Sequence, residues 1–340
     1  MSGRPAVAAA IELVCAGATL PAALAEATME EMVQGGAPPV QVAALLAMLR
    51  LRGETSEELA AFARVMREHA VPVAVPPDAI DLAGTGADGS GSFNVSTVAS
   101  FVAAGAGAYV AKHGNRAITS RCGSADLIEA LNIPLEPGPE AVARSIRESR
   151  FGFIFAPAFH PAMREVMPIR RALPMRTAFN LIGPLSSPAH VHRQLVGVAD
   201  PSLLTVVAGA LARMDVVRAL VVHGADGLDE LSLAGPNRAL LVEVQDVVEV
   251  EIDPATYGLA AAAPTALQGG DAQLNAAIAL SVLRGEPGPP RDIVLLNAAA
   301  ALWVAGVASD VGEGLERAAE AIDSGRAWAV VAAAAEGVAA

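Results

Sequence analysis

Residues 81–97 read DLAGTGADGSGSFNVST, and this stretch decides how the chain is interpreted. A short apolar run, Ala79–Ala83, leads into a loop whose glycines are Gly84, Gly86, Gly89 and Gly91. Glycines let a backbone approach a ligand closely and adopt positive φ. The loop is followed by Asn94, Ser96 and Thr97, which open a predicted helix through Ala104. Because a helix N-terminus with free N–H groups and short hydroxyls binds anions, the stretch predicts an anion site. Its spacing fits neither the P-loop nor the dinucleotide-binding pattern, and such turns are also often purely structural.

Downstream of this stretch, short apolar runs alternate with helical stretches. The predicted strands are Ala79–Ala83, Tyr109–Ala111, Phe151–Ala156, Leu195–Ala199, Ala219–Val222 and Leu240–Val244. Helices are predicted over Asp292–Ala305, over about Gly314–Ser324, and once more near the end. Strands that alternate with helices indicate an α/β domain with a mostly parallel central sheet flanked by helices.

The first 70 residues have a different pattern, which predicts about four helices and no strand. Thr55 to Glu58 form a capping-box pattern, after which Leu59, Phe62 and Met66 recur at helical spacing. The proline-rich segment Val71–Asp78 reads as a linker. We therefore predict a small helical domain over residues 1–72 and an α/β domain over 73–340. The arginine- and proline-rich segment 163–190 is expected to cross back toward the helical domain.

Lys112 is the only lysine among 23 basic residues, and it lies in the densest polar cluster of the chain. The cluster runs from Lys112 to Asp126 and contains two bracketing glycines, Gly114 and Gly123. An ammonium is a compact point charge that arginine does not replace in a tight pocket. A coding bias against lysine explains the general depletion but not this location, so the sequence favours a role for Lys112 in binding.

A third candidate site follows the predicted strand that ends at Val222. There, a glycine-rich turn leads to adjacent carboxylates at Asp229 and Glu230. Mg²⁺ prefers one or two carboxylates together with substrate phosphates and water. In an acidic chain, adjacent carboxylates are also common as ordinary surface charge. The pair alone therefore does not distinguish a Mg²⁺ site from surface charge. Among the arginines of segment 163–190, one is expected to clamp a carboxylate substrate, since the guanidinium fork suits that geometry.

The overall charge restricts the class of partner. The 340-residue chain has a formal net charge of −13, which disfavours sequence-independent binding to nucleic acid or to an anionic membrane. Cys15 and Cys122 have neither metal-ligand spacing nor a disulfide framework, so we expect a reducing, cytoplasmic environment. The longest apolar runs are shorter than the roughly 20 residues that a membrane-spanning helix needs.

Taken together, these motifs resemble those of the anthranilate phosphoribosyltransferase family from end to end and in the same order. The resemblance is carried by residues 84–89, 94–97, 112–116, 176–185, 227–230 and 269–271. It implies the pyrimidine nucleoside phosphorylase-like fold and a homodimer formed through the helical domain. The implied reaction joins anthranilate to phosphoribosyl pyrophosphate (PRPP), with Mg²⁺ as cofactor and pyrophosphate as the leaving group, in tryptophan biosynthesis.

The resemblance also implies roles for individual residues. PRPP would be held by Gly84, Thr85, Gly86, Asp88, Asn94, Ser96, Thr97, Lys112 and Ser124. Anthranilate would be lined by Gly84, His113, Asn115, His160, Arg170, Gly183 and Pro184, with Arg170 facing the carboxylate. Mg²⁺ would be bound by Asp229 and Glu230, with Ser96 nearby. No residue is assigned as acid, base or nucleophile, because the anthranilate amine is itself a nucleophile.

The sequence departs from the family pattern at Ala87, where a third glycine is usual, and at Thr119, Arg121 and Cys122. Two other readings stay open. A pyrimidine nucleoside phosphorylase of the same fold is expected to carry a further C-terminal domain and to lack the Asp229-Glu230 pair in this setting. A non-catalytic relative that binds nucleic acid would need a basic face, which the net charge of −13 disfavours.

Overall fold

The computed structural model describes residues 5–86, 88–117 and 121–336. Its N-terminal part is a unit of four helices, as predicted: α1 (Ala6–Cys15), α2 (Ala22–Val33), α3 (Pro39–Arg52) and α4 (Ser56–Glu68). The predicted capping box begins α4, since the Thr55 hydroxyl accepts the Glu58 N–H and the Glu58 carboxylate accepts the Thr55 N–H. Leu59, Phe62 and Met66 are buried on one face of α4.

The rest of the chain is built around one seven-stranded sheet with the order β3-β2-β1-β4-β5-β6-β7. The strands are β1 (Ile80–Gly84), β2 (Val110–Gly114), β3 (Phe151–Phe155), β4 (Arg193–Gly197), β5 (Arg218–His223), β6 (Asn237–Glu243) and β7 (Asp246–Ile252). The first five strands are parallel to one another, whereas β6 is antiparallel to both of its neighbours, β5 and β7. The fold is therefore the predicted mostly parallel α/β type beside a small helical unit.

Helices cover both faces of this sheet, and further helices pack on those helices or on the helical unit. The helices of this part of the chain are α5 (Val95–Gly105), α6 (Ser124–Ala130), α7 (Pro139–Ser149), α8 (Ala156–Phe159), α9 (Met163–Ala172), α10 (Ala178–Ile182), α11 (Leu203–Leu211), α12 (Ala272–Leu283), α13 (Pro289–Ala305), α14 (Val311–Asp323) and α15 (Arg326–Glu336). Leu195 packs in the core with α5 and α13, whereas its neighbour Val196 packs in the core with the helical unit and α11. Alternate residues of a strand thus fill two cores.

The segment predicted as a crossover folds as α9 and α10, which contact helices α2, α3 and α4 of the helical unit. Their apolar residues share one core with that unit, with α11 and with β4. The division after residue 72 stays a prediction, because this core runs without a break from the helical unit to the sheet.

The structure corrects several strand boundaries. Strand β2 extends to Gly114, so Lys112 and His113 lie within the strand and not after it. Because both residues are polar, the strand was predicted to end before them. Their backbones nevertheless pair with Phe153 and Ile154 of β3. Strand β7 was missed because it is an exposed edge strand rich in acidic residues. Helix α12 was also missed from the sequence.

A separate observation concerns membranes. Within the described ranges, the helices are all too short or too polar to cross a bilayer.

Candidate active site

The candidate site lies where the strand order reverses. The chain passes from β1 to β2 on one side and later from β4 to β5 on the other, so the loops after β1 and β4 leave in opposite directions. Open α/β sheets bind ligands in the crevice at this point, beyond the carboxyl ends of the strands. The glycine-rich loop after β1 therefore occupies the place where a ligand is expected, and Gly86, Gly89 and Gly91 all have positive φ.

The start of this loop is held on two sides. Asp229 Oδ2 accepts the Gly86 N–H at 2.6 Å, and Arg176 Nη2 donates to the Thr85 carbonyl at 2.7 Å. A Cβ on Gly84 would lie 2.2 Å from Asp229 Oδ2, so the carboxylate approaches the loop only because residue 84 is glycine. Arg176 was one of several candidate arginines in the sequence, and the structure brings it to the glycine-rich loop.

The N-terminus of α5 lies beside the two predicted metal-binding carboxylates. Glu230 Oε1 accepts the Ser96 N–H at 3.2 Å. Asn94 precedes the helix, and its Oδ1 accepts from Asn275 Nδ2 at 2.8 Å, which ties it to α12. Thr97 is fully buried. Among the residues predicted to contact PRPP, its hydroxyl is therefore the least accessible to a ligand.

Lys112 is 2% exposed and reaches from β2 into the space above β1. Its Nζ donates to the Leu82 carbonyl at 2.6 Å and to Ser96 Oγ at 3.3 Å. Burial lowers the pKa of Lys112, while the negative charges of Asp81, Glu230 and Asp229 act in the opposite direction. The only ammonium of the chain, apart from its N-terminus, thus sits among carboxylates at the first turn of α5.

Asp229 and Glu230 fit a divalent cation. Desolvation raises the pKa of both, and the charge of Asp88 raises that of Asp229 further, as the charge of Asp229 does for Glu230. A bound cation would relieve this repulsion. The described residues contain no group of three or more histidine, cysteine or acidic side chains placed to hold a metal. Two carboxylates completed by phosphate and water are the arrangement typical of Mg²⁺.

The predicted acceptor residues form a second, less charged wall. The rings of His113 and His160 lie 5.2 Å apart between centroids, and both residues are buried. Burial lowers the pKa of His113 to about 3 and that of His160 to about 4, so both rings are neutral near pH 7. Arg170 stacks over the Phe179 ring at 5.3 Å and makes no ion pair with a described carboxylate.

The remaining predicted residues lie around these two walls. Asn115 N donates to Ser124 Oγ at 3.2 Å at the end of β2, and Asp88 accepts from Ser90 in the glycine-rich loop. Pro184 is buried next to the partly exposed Gly183. The structure thus brings most of the predicted residues to one edge of the sheet, whereas Arg170 is placed only by its contact with Phe179, and the individual roles stay predictions.

Of the four departures from the family pattern, Ala87 and Thr119 lie outside the described residues. Arg121 is exposed. Cys122 is buried, and its thiol donates to Asn94 Oδ1 at 3.3 Å. Burial raises the pKa of Cys122 to about 11, so this thiol is not a nucleophile near neutral pH.

Two residues that the sequence left without a role also belong to this region. Asp81 is a fully buried acid in β1, and Gly197 ends β4 opposite Gly84. A Cβ on Gly197 would lie 1.5 Å from the Asp229 carbonyl oxygen. An acidic residue within an apolar strand was the available signal for Asp81, whereas nothing in the sequence connects Gly197 with Asp229.

Comparison with known proteins gives a consistent family assignment. Residues 8–70 match the helical bundle domain of a glycosyl transferase family, and residues 76–328 match the α/β domain of that family. An anthranilate phosphoribosyltransferase from Rubrobacter xylanophilus is 49% identical over 95% of this chain and 94% of its own length. One from Solibacter usitatus is 51% identical over 92% and 93%, respectively.

Solved structures agree with the sequences. The anthranilate phosphoribosyltransferase of Thermus thermophilus is 45% identical and superposes with a TM-score of 0.93 over 99% of this chain and 100% of that chain. The Saccharomyces cerevisiae enzyme in complex with PRPP and Mg is 27% identical, with a TM-score of 0.89 over 99% of both chains. The same yeast enzyme in complex with 4-fluoroanthranilate is similar at a TM-score of 0.88, over 98% of this chain and 97% of that chain.

Proposed function

The chain belongs to the anthranilate phosphoribosyltransferase family, and we propose that it transfers the 5-phosphoribosyl group of PRPP to the amine of anthranilate in tryptophan biosynthesis. The observation that carries the proposal is the meeting of three elements at one edge of the sheet. These are the glycine-rich loop, the buried ammonium of Lys112 and the Asp229-Glu230 pair. The yeast relative that binds PRPP and Mg supports this assignment.

The donor side combines a closely approaching backbone with a positive charge. The glycine-rich loop has positive φ at Gly86, Gly89 and Gly91, and the compact Lys112 ammonium lies 3.3 Å from Ser96 Oγ at the start of α5. We assign PRPP to Gly84, Thr85, Gly86, Asp88, Asn94, Ser96, Thr97, Lys112 and Ser124. These groups would neutralise the pyrophosphate as it departs, which is where negative charge develops in the transition state.

Asp229, Glu230 and the Ser96 hydroxyl are the residues that would hold Mg²⁺. When bound, Mg²⁺ supplies positive charge to the pyrophosphate oxygens. Asp229 also orders the loop by accepting the Gly86 N–H, and Glu230 orders the helix start by accepting the Ser96 N–H. The two carboxylates would therefore connect a bound metal with the glycine-rich loop and with the start of α5.

The acceptor side suits an aromatic carboxylate with an uncharged amine. We assign anthranilate to Gly84, His113, Asn115, His160, Arg170, Gly183 and Pro184. Arg170 provides the cation for the carboxylate, because its guanidinium is partly exposed and stacked on Phe179 instead of paired with an acid. The neutral rings of His113 and His160 add polarity without a competing charge.

In the proposed reaction the amine nitrogen attacks C1 of the ribose as the bond from C1 to the pyrophosphate oxygen breaks. The electron pair of that bond leaves with pyrophosphate, and the amine proton is lost afterwards to solvent. No general base is required, so the catalytic contribution of the protein is to hold amine and C1 in line and to stabilise the leaving group.

The test is direct. Purified protein is mixed with anthranilate, PRPP and Mg²⁺, and the loss of anthranilate fluorescence is followed, with pyrophosphate release measured in parallel. We expect both signals to proceed at the same rate and only when all three components are present. Folded protein that leaves anthranilate fluorescence unchanged would remove the proposal.

We also propose a homodimer formed through the helical unit. Val40 and Leu51 of α3 are 74% and 89% exposed, and their spacing of eleven residues places them on one face of the helix. Such an apolar face favours burial against a second copy. Light scattering should give a dimer for the wild-type protein and for Leu274→Glu, an exposed leucine on α12, but a monomer for Leu51→Glu. A wild-type monomer would refute this assembly.

The cytoplasm remains our proposed compartment. Neither cysteine forms a disulfide, which suits a reducing environment.

A further inference from the structure

The parallel pairing between β1 and β2 stops early. These strands share the single pair Ile80 with Val110, whereas β1 stays paired with β4 along its whole length to Gly84. Strand β2 likewise stays paired with β3 up to Gly114. The carboxyl halves of β1 and β2 therefore separate, and a gap opens between them directly below the candidate site.

Two side chains bridge this gap. In a regular parallel ladder continued from Ile80 and Val110, the His113 N–H would donate to the Leu82 carbonyl. Here Asp81 Oδ1 accepts the His113 N–H at 3.0 Å, and Lys112 Nζ donates to the Leu82 carbonyl at 2.6 Å. The His113 N–H and the Leu82 carbonyl, which would pair in a continued ladder, are thus each satisfied by a side chain of the opposite strand.

Asp81 also lies between two buried cations. It is 1% exposed, and burial raises the pKa of its carboxyl group to about 7, while the positive charges of Lys112 and Arg67 act in the opposite direction and favour the charged form. Arg67 comes from α4 of the helical unit and is fixed there by donating from Nε to the Leu185 carbonyl at 2.8 Å. Removing a buried charge leaves its partners uncompensated, so the position of Lys112 depends on an anion at residue 81.

We propose that Asp81 is a positioning residue for both substrates. Its hydrogen bond to the backbone of His113 sets that ring toward the acceptor, and its charge holds the Lys112 ammonium at the donor site. This assignment rests on the proposed function, because it requires PRPP near Lys112 and anthranilate near His113.

Two variants separate the hydrogen bond from the charge. Asp81→Asn keeps an acceptor oxygen for the His113 N–H and loses the charge, whereas Asp81→Ala loses both. We expect Asp81→Asn to weaken PRPP binding by at least about tenfold and to keep the KM for anthranilate within about twofold of wild type. Asp81→Ala should weaken both. The matched control is Asp215→Asn, which removes an exposed carboxylate that also acts on Arg67, and it should change neither.

PRPP binding is measured by calorimetry in the presence of Mg²⁺, independently of turnover, and the KM for anthranilate by fluorescence. Thermal melting verifies that each variant is folded; if Asp81→Ala is not, Asp81→Asn alone carries the test through its selective effect on PRPP. Variants that melt at a lower temperature but keep wild-type PRPP affinity and KM would overturn the proposal. An equal loss for both substrates in Asp81→Asn would overturn it too. A wild-type protein that binds PRPP but does not consume anthranilate would instead refute the proposed function.

Discussion

Replacing Gly197 with alanine should disable the site although it changes none of the residues predicted to bind a ligand. The added Cβ would lie 1.5 Å from the carbonyl oxygen and 2.3 Å from the carbonyl carbon of Asp229. That oxygen would have to move by at least 1.5 Å to reach even 3.0 Å, and both clashing atoms belong to the backbone. The 2.6 Å bond from Gly86 N to Asp229 Oδ2 would not survive such a shift.

The expected cost follows from this displacement. A misplacement of about 1 Å at a reacting centre lowers the rate by roughly a hundredfold. Overpacking of this kind also costs about 1–3 kcal/mol of stability. We therefore expect Gly197→Ala to lose at least about a hundredfold in kcat for anthranilate consumption and to melt at a lower temperature.

The matched control is Gly235→Ala, where the nearest atom to the added Cβ is the Ala225 Cβ at 3.8 Å. It should retain wild-type kcat and melting temperature. If Gly197→Ala also kept near wild-type kcat and stability, the close contact between β4 and the Asp229 backbone would not be what holds the carboxylate in place.

Three further outcomes follow from the same geometry. Lys112→Arg should lose activity by roughly a hundredfold in steady-state assays, because the larger guanidinium does not fit where Nζ donates to Leu82 at 2.6 Å; wild-type activity would contradict this. Arg176→Ala should raise the KM for PRPP about tenfold, since a charged hydrogen bond to the Thr85 carbonyl is lost, and an unchanged KM would refute the link. Burial lowers the pKa of His160 from 6.5 to about 4 in the folded chain. As the pH falls from 6.5 to 4, the unfolded chain therefore binds more protons at this residue than the folded chain, and the stability of the wild-type protein decreases. His160→Gln should therefore gain stability relative to wild type in melts at pH 5 compared with pH 8, and an unchanged difference would refute the buried neutral ring.

Much of the fold was accessible from periodicity alone. The four N-terminal helices were predicted from apolar spacing and, for α4, from a capping box, and the strands at Phe151 and Ala219 were predicted from short apolar runs. Strand β2 was placed too short because Lys112 and His113 are polar and yet lie inside a strand. Sequence patterns detect buried apolar faces, and a strand that carries functional polar groups departs from that pattern.

The candidate site, like the fold, could be predicted only in part from the sequence. The motif residues came from local patterns, and the structure places them at one edge of the sheet. The contacts that hold them join positions far apart in the chain, as when Asp229 reaches Gly86 or Arg176 reaches Thr85. Such long-range contacts depend on the order of the strands in the sheet. The local sequence patterns do not indicate which loops become neighbours.

The most direct measurement is the turnover of the Asp229→Ala/Glu230→Ala double variant in the presence of PRPP, anthranilate and Mg²⁺. Among the described residues, these two carboxylates are the only acidic pair that accepts hydrogen bonds from both the glycine-rich loop and the start of α5. We expect no detectable loss of anthranilate fluorescence, with folding intact, while Asp226→Ala in the same turn retains wild-type turnover. A double variant with near wild-type kcat would refute the assignment of Asp229 and Glu230 to the metal site.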